Sequence, residues 1–181
     1  MELTGKHKNT LLSIAEWSIQ DYLITGKRSR LPESFEIDMA LESRMGAFVT
    51  VYVKHKLRGC IGTFSESKPL YENVHQMSVE AICEDNRFKS VSHSELKNLE
   101  VEISVLSPRI RVENPDDIII GKHGIYMING ILRATLLPQV ALENNWSVIQ
   151  FLECCAENKL GLCKNSWKES ELFVFETVVF R

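Results

Sequence analysis

Little in this sequence names a function at sight. Its 5 cysteines include no CxxC pair, and an odd number at irregular spacings does not suggest a secreted disulfide framework. No apolar run approaches the roughly 20 residues that cross a bilayer. Near the start, Glu16 and Asp21 interrupt the apolar residues, so no signal-peptide pattern forms. Basic charge is not in excess: 21 Lys and Arg stand against 24 Asp and Glu, for a net charge of −3. Nucleic-acid binders more often carry a strongly basic face. Nucleic acid is therefore not expected as the main partner, and the local patch of Lys54, His55, Lys56 and Arg58 is the one feature in its favour. A GxxxxGK[ST] phosphate loop is missing, as is the G-x-S-x-G elbow of hydrolases. No zinc-type cysteine spacing occurs, so no metal site is expected. The residues name no cofactor. Together these absences predict a soluble cytoplasmic protein with reduced thiols and no membrane association.

What is present supports one well-cored domain. A chain of 181 residues with 44% hydrophobic content suits a single domain over 1–181, with a small annex. At this size roughly 70% of the unfolded surface is buried. Leu11, Ile14, Ala15, Ser18, Ile19, Tyr22 and Leu23 recur at helical spacing, predicting a helix over 7–25 that ends at Gly26. Residues 46–64 alternate with period two and read as a hairpin with Lys54-His55-Lys56 as a three-residue turn. In that register Val49, Val51, Val53, Leu57 and Ile61 share a core face, while Thr50, Tyr52, Arg58 and Cys60 share the other. Pro69 opens a second helix, to about Glu84, with Leu70, Val74, Met77, Ala81 and Ile82 as its stripe. A half-exposed strand spans 99–106. The run Ile118-Ile119-Ile120 has the look of a short buried strand. Asn129-Gly130 signals a hairpin. Ser147-Val148-Ile149-Gln150 is a capping box for a helix reaching about Asn158. A last strand covers 172–180. This mixture, without regular βαβ alternation, predicts an α+β fold with a largely antiparallel or mixed sheet flanked by helices.

The chemistry concentrates at Leu57-Arg58-Gly59-Cys60-Ile61-Gly62, a lone thiol between two glycines after a basic cluster. The glycines lack Cβ atoms, so a ligand or another backbone can approach closely. Cys60 has two readings. One is a small buried hydrophobe, the commonest fate of a free cysteine. The other is a reactive or substrate-contacting thiol, since basic neighbours activate thiols. Thr50, Tyr52, Arg58, Gly59 and Gly62 would line such a site. Arg58 and Arg87 are candidate contacts for an anionic ligand, and structural ion pairing is the alternative, with Asp85 or Glu84 as partners for Arg87. His123 lies in a glycine-flanked turn and is either a turn residue or a ligand contact. Cys154, Cys155 and Cys163 read as packing residues.

Taken in order, several segments carry a resemblance. They are Phe48-Val49-Thr50, the Arg58-Gly59-Cys60-Ile61-Gly62 block, Asp85 with Arg87-Phe88, and Val101-Glu102-Ile103-Ser104-Val105-Leu106. Further on come Gly121 with His123-Gly124-Ile125, Leu136-Leu137-Pro138-Gln139-Val140, and Trp146. The sequence resembles the AMMECR-type domain family, called AmmeMemoRadiSam system protein A in prokaryotes, over nearly its whole length. That resemblance implies a single α+β domain with a major and a minor lobe. It also implies partnership with a Memo-type protein and a radical SAM enzyme, in a family whose biochemical activity is not established. Two departures stand out: Lys89-Ser90 where the family commonly has Pro-Pro, and His123 where it often has Asp.

Three readings of function follow. The chain is a substrate-binding or accessory component that holds an anionic group near Cys60 and Arg58. Alternatively, it is a thiol-dependent enzyme with Cys60 as nucleophile or carrier. In the third reading it is an interaction module whose glycine-flanked hairpin is purely structural.

Overall fold

The computed structural model describes residues 3–181. Helices and strands are interleaved, and two four-stranded sheets form, with antiparallel pairing in every register described. The α+β expectation holds. The chain divides into two compact units, one running to Leu106 and completed by Val178–Arg181, the other Ser107–Thr177.

The first unit begins with α1 (Gly5–Thr25). Thr4 caps it in a reciprocal box with His7, and Gly26 at φ 69° ends it. Left-handed backbone is cheap only for glycine, so the helix stops there. Strands β1 (Ala47–Val53) and β2 (Lys56–Thr63) form the hairpin, followed by α2 (Leu70–Cys83) and β3 (Leu99–Leu106). With β8 (Thr177–Phe180) the sheet order is β2-β1-β3-β8, which leaves β2 at an edge. Leu11, Ile14 and Ile19 of α1, Val74, Met77 and Ala81 of α2, and Val49, Val51, Val101 and Ile103 of the sheet build one core. Both helices therefore cover the face carrying the odd-numbered residues of β1. The even-numbered residues Phe48, Thr50 and Tyr52 take the other face.

In the second unit, β4 (Ile110–Val112), β5 (Gly124–Asn129), β6 (Leu132–Leu136) and β7 (Glu171–Phe175) form a sheet of order β4-β7-β5-β6. Helices α3 (Pro138–Glu143) and α4 (Val148–Cys154) join it. Ser147 caps α4 through the box with Gln150, and a π-helical turn over Cys155–Lys159 extends it. Phe151, Leu152, Cys155, Trp167 and Leu172 lie in its core.

Several sequence expectations need correction. The first hairpin closes on two residues, Lys54 and His55, both at positive φ (52° and 60°), so Val53 faces Lys56. A bulge then restores the register, because Tyr52 faces Leu57 while Val51 faces Gly59. Arg58 is the extra residue, and Leu57 becomes exposed instead of joining the core. The second hairpin turns at Gly130-Ile131, one residue later than expected. Asn129 pairs with Leu132, and positive φ at Gly130 alone is the pattern of a type II′ turn. Ile118-Ile119-Ile120 is not a strand: a 3₁₀ turn over Pro115–Asp117 precedes it, and Ile118 is buried while Ile119 is exposed. The single strand expected over 172–180 breaks at Glu176 into β7 and β8, which join different sheets. Among the described residues no helix is long and apolar enough to cross a membrane.

Candidate functional site

The site grows from the unpaired edge of β2. A residue in an edge strand directs its main-chain N–H and C=O either toward its neighbour or outward. At Cys60 they point outward. Its N–H donates to Asp85 Oδ2 at 2.9 Å, and its carbonyl accepts from Arg87 Nη2 at 3.3 Å. Thr50 and Cys60, paired in register, are thus a non-hydrogen-bonded pair, the geometry that brings side chains closest. The Thr50 hydroxyl accordingly donates to Cys60 Sγ at 3.2 Å.

Asp85 and Arg87 act where an additional strand would. They sit in the turn after α2, closed by the bond from Phe88 N–H to the Asp85 carbonyl at 3.0 Å. The Asp85 carboxylate accepts from Arg87 Nε (2.9 Å), Arg87 Nη2 (2.7 Å) and the Arg87 main-chain N–H (3.2 Å). Those bonds from Arg87, with the Cys60 N–H, outweigh the burial of Asp85 and hold its pKa well below the usual carboxylate range. Its side chain is 6% exposed, whereas that of Arg87 is 61% exposed. Arg87 is raised in turn, mainly by Asp85 and further by the Cys60 side chain. Its guanidinium thus anchors the turn and still presents a face to solvent beside the thiol.

Arg58 is engaged elsewhere. Nε and Nη2 reach Glu95 at 3.2 and 3.5 Å, and Nη1 donates to the Lys89 carbonyl at 2.9 Å. Glu95 also accepts the N–H and the hydroxyl of Ser92, at 2.8 and 2.9 Å. The Ser92 N–H and the Arg58 guanidinium are the leading causes that bring Glu95 down to about 2. The bulge at Arg58 therefore fastens the 89–95 segment to β2, which answers to the ion-pairing alternative for this residue.

Both glycines are accounted for by packing. A Cβ on Gly59 would lie 1.8 Å from the Ala81 carbonyl oxygen, so β2 meets α2 backbone to backbone there. At Gly62 the Phe48 ring occupies the corresponding space, and that ring meets Phe64 edge-on at 5.5 Å. Tyr52 stands on the same face as Thr50, one pleat along. Arg181 lies 4.3 Å over its ring and reaches Glu100 at 3.5 Å. Burial, and then the neighbouring Glu102 carboxylate, raise the Tyr52 pKa.

Thr50, Tyr52 and Cys60 are thus brought to one sheet face in the first unit, with Arg87 at the adjoining edge of β2. Cys60 is half-buried, not sealed in the core. His123 belongs to the second unit, where its Nδ1 accepts the Ile119 N–H at 3.2 Å and its own N–H donates to the Ile119 carbonyl at 2.9 Å, a turn-building role. Cys155 is buried in the second core, and burial pushes its thiol up to about 12. Glu95 was not anticipated, although Ser92-His93-Ser94-Glu95 is a legible capping box. Arg181 has no comparable signal, since its role depends on β8 joining this sheet. No cluster of three or more metal-ligating side chains occurs among the described residues.

A family model described as AMMECR1 matches residues 12–180. The chain belongs to the AMMECR1 family. AMMECR1-family relatives include a protein of Methanothermobacter thermautotrophicus, 36% identical over 98% of this chain and 95% of its own length. A protein of Methanosarcina mazei is 34% identical, over 99% of this chain and 93% of its own. The crystal structure of uncharacterized protein PH0010 from Pyrococcus horikoshii matches with a TM-score of 0.82 and 32% identity. That match covers 93% of this chain and 88% of the other.

Proposed function

We propose that this chain is a substrate-binding or accessory component that works with a Memo-type protein and a radical SAM enzyme. In this reading the face around Cys60, Thr50, Tyr52 and Arg87 receives an anionic group of a small molecule or of a partner. One observation carries it: the main chain of Cys60 is clamped by Asp85 and Arg87 while its thiol stays on the sheet face beside an exposed guanidinium. A clamped backbone holds a side chain in one orientation, which favours recognition. Of the two arginines proposed from the sequence as anion contacts, Arg58 is engaged with Glu95 and the Lys89 carbonyl, and Arg87 is the one this reading keeps.

The competing reading is a thiol-dependent reaction at Cys60. The proximity of Arg87 favours it, since fixed positive charge assists thiol chemistry. Among the described residues, however, the hydrogen bond at Sγ comes from Thr50, and neither an imidazole nor a carboxylate bonds the sulfur as a base. That balance favours binding.

The test is calorimetric titration of this protein with the Memo-type and radical SAM proteins of the same organism, using wild type, Cys60→Ser and Tyr52→Ala. Binding that weakens about tenfold or more in the folded variants supports the proposal. Undetectable binding to both partners, or affinities that the variants leave unchanged, ends it. A substrate-derived adduct trapped on Cys60 by mass spectrometry would transfer the case to the enzymatic reading.

A further inference from the structure

A second site is suggested by the long connection between α1 and β1. From Gly26 to Gly46 the chain forms no helix or strand. Connections of that length inside a compact unit are uncommon, and are usually either functional or disordered linkers. This one is held in place. His75 Nε2 reaches the Ser29 carbonyl at 3.0 Å, Lys6 pairs with Glu36 at 2.6 Å, and His7 reaches Asp38 at 2.9 Å. Between the connection and α2 lies a cleft of about 400 Å³. That volume falls within the range of small-molecule sites.

The lining has two characters. Leu31, Phe35 and the Tyr71 ring give it apolar walls, while Arg28, Arg30 and Lys68 bring three cations. These cations are weakly neutralised. Arg28 approaches Glu80 only to 3.9 Å, and Lys68 donates to the neutral Gln76 amide at 2.7 Å. Arg30 has no hydrogen bond or ion pair among the described residues. The carboxylates in the lining are Glu33 and Glu72, and Glu72 already accepts the Tyr71 hydroxyl at 3.3 Å. His75 is a wall, not a contact. A carbonyl only accepts, so Nε2 carries the proton toward Ser29, while Nδ1 lies 2.7 Å from the Ser18 hydroxyl, which also reaches the Ile14 carbonyl.

We propose that this cleft binds a small amphipathic organic anion, with its carboxylate, sulfonate or phosphate between Arg30 and Lys68 and its apolar body against Leu31, Phe35 and Tyr71. The lining shares no residue with the face around Cys60, so the proposal stands independently of the function proposed above. Apolar walls select the body and unpaired guanidinium selects the charge.

The test uses 1-anilinonaphthalene-8-sulfonate, an aromatic anion whose fluorescence rises on binding. The folded wild-type protein is expected to bind it saturably at one site. Arg30→Ala should weaken binding about fivefold, equivalent to about 1 kcal/mol. Leu31→Glu, which sets a carboxylate in the apolar wall, should weaken it about tenfold or more. Arg133→Ala, an exposed cation in the second unit, should leave it within twofold. Octanoate should displace the probe at concentrations at least tenfold below octanol or inorganic phosphate. Circular dichroism confirms that each variant is folded, and Arg30→Ala keeps the test informative should Leu31→Glu fail to fold. Unsaturable binding overturns the proposal, as does an affinity that folded Arg30→Ala does not change. Equal competition by octanol reduces the site to an apolar groove, and equal competition by phosphate reduces it to a bare anion site. Either result also overturns it.

Discussion

Removing the Asp85 charge should destabilise the first unit in a way that depends on pH. The carboxylate accepts four hydrogen bonds, three from Arg87 and one from the Cys60 N–H. Asp85→Asn keeps one acceptor for the Cys60 N–H but loses the charge-assisted bonds to Arg87. Hydrogen bonds to charged groups contribute about 1.5–3 kcal/mol, against about 0.5–1.5 for neutral ones. Arg87 is 61% exposed and rehydrates when released, which lowers the cost. The expected loss at pH 7 is therefore about 2 kcal/mol, below the ~3–5 for breaking a fully buried pair. The sign of the pH effect follows from the direction of the shift. The folded pKa of Asp85 lies below its unfolded value of about 3.9. Its contribution is thus complete above about pH 5 and shrinks as pH falls through the unfolded value toward the folded one. The loss approaches ~1.4 kcal/mol per pH unit. Urea unfolding followed by circular dichroism at pH 7, 5, 3.5 and 2.5 measures the gap between wild type and variant. It should be constant from 7 to 5, narrow at 3.5, and nearly close at 2.5. A gap independent of pH, or one under about 0.5 kcal/mol at pH 7, would show that this carboxylate does not hold the edge of β2.

Three further outcomes are expected. Gly59→Ala places a Cβ 1.8 Å from the Ala81 carbonyl oxygen, and neither backbone can yield cheaply. A loss of about 3 kcal/mol or failure to fold, read by thermal melting, is expected from such overpacking; a variant within about 0.5 kcal/mol of wild type would mean that β2 and α2 do not meet there. Alkylation with iodoacetamide, resolved by peptide mass spectrometry, should label exposed Cys163 readily. Half-buried Cys60 should be labelled in the folded protein, and Cys155, buried with its thiol near 12, only after unfolding. Labelling of Cys60 only on denaturation would seal it in the core and remove the site. Glu95→Gln weakens both the Ser92 box and the Arg58 pair, so a loss of about 1–2 kcal/mol at pH 7 is expected. That loss should diminish as pH falls from about 4.3 toward about 2, where Glu95 itself titrates.

Much of the frame was legible because it rests on short-range pattern. The stripe Leu70, Val74, Met77, Ala81 and Ile82 set α2, Gly26 set the end of α1, and the alternation over 99–106 set β3. The face of Cys60 was legible too, since Thr50 and Cys60 do pair. The failures share a cause, which is information that lies outside the segment being read. Three-residue closure at Lys54-His55-Lys56 was a reasonable expectation because neither Asn nor Gly is present. The observed turn instead places two ordinary residues at positive φ, with His55 held to Glu100 at 2.8 Å and the Lys54 N–H to the Asn98 carbonyl at 3.1 Å. Those partners come from the start of β3 and the residue before it, distant in sequence, and no local preference reports them. The break at Glu176 was equally hidden, because both halves of 172–180 are good strand sequence and differ only in the sheet they join.

The same distinction explains why the residues bearing the resemblance fall into blocks far apart in the chain. Read alone, Arg58-Gly59-Cys60 suggests a reactive thiol with an activating arginine, and Asp85 with Arg87 suggests a surface ion pair. Joined in space they are one device. Gly59 lets β2 lie against the backbone of α2, and that contact brings the turn leaving α2 to the edge of β2. Asp85 and Arg87 then satisfy the outward N–H and carbonyl of Cys60, groups that an edge strand otherwise offers to any passing chain. An aspartate alone would leave the carbonyl open, and an arginine alone would leave the N–H open and an unpaired charge beside it. The glycine, the carboxylate and the guanidinium are each required by the other two, and the side chain they fix in place is the thiol.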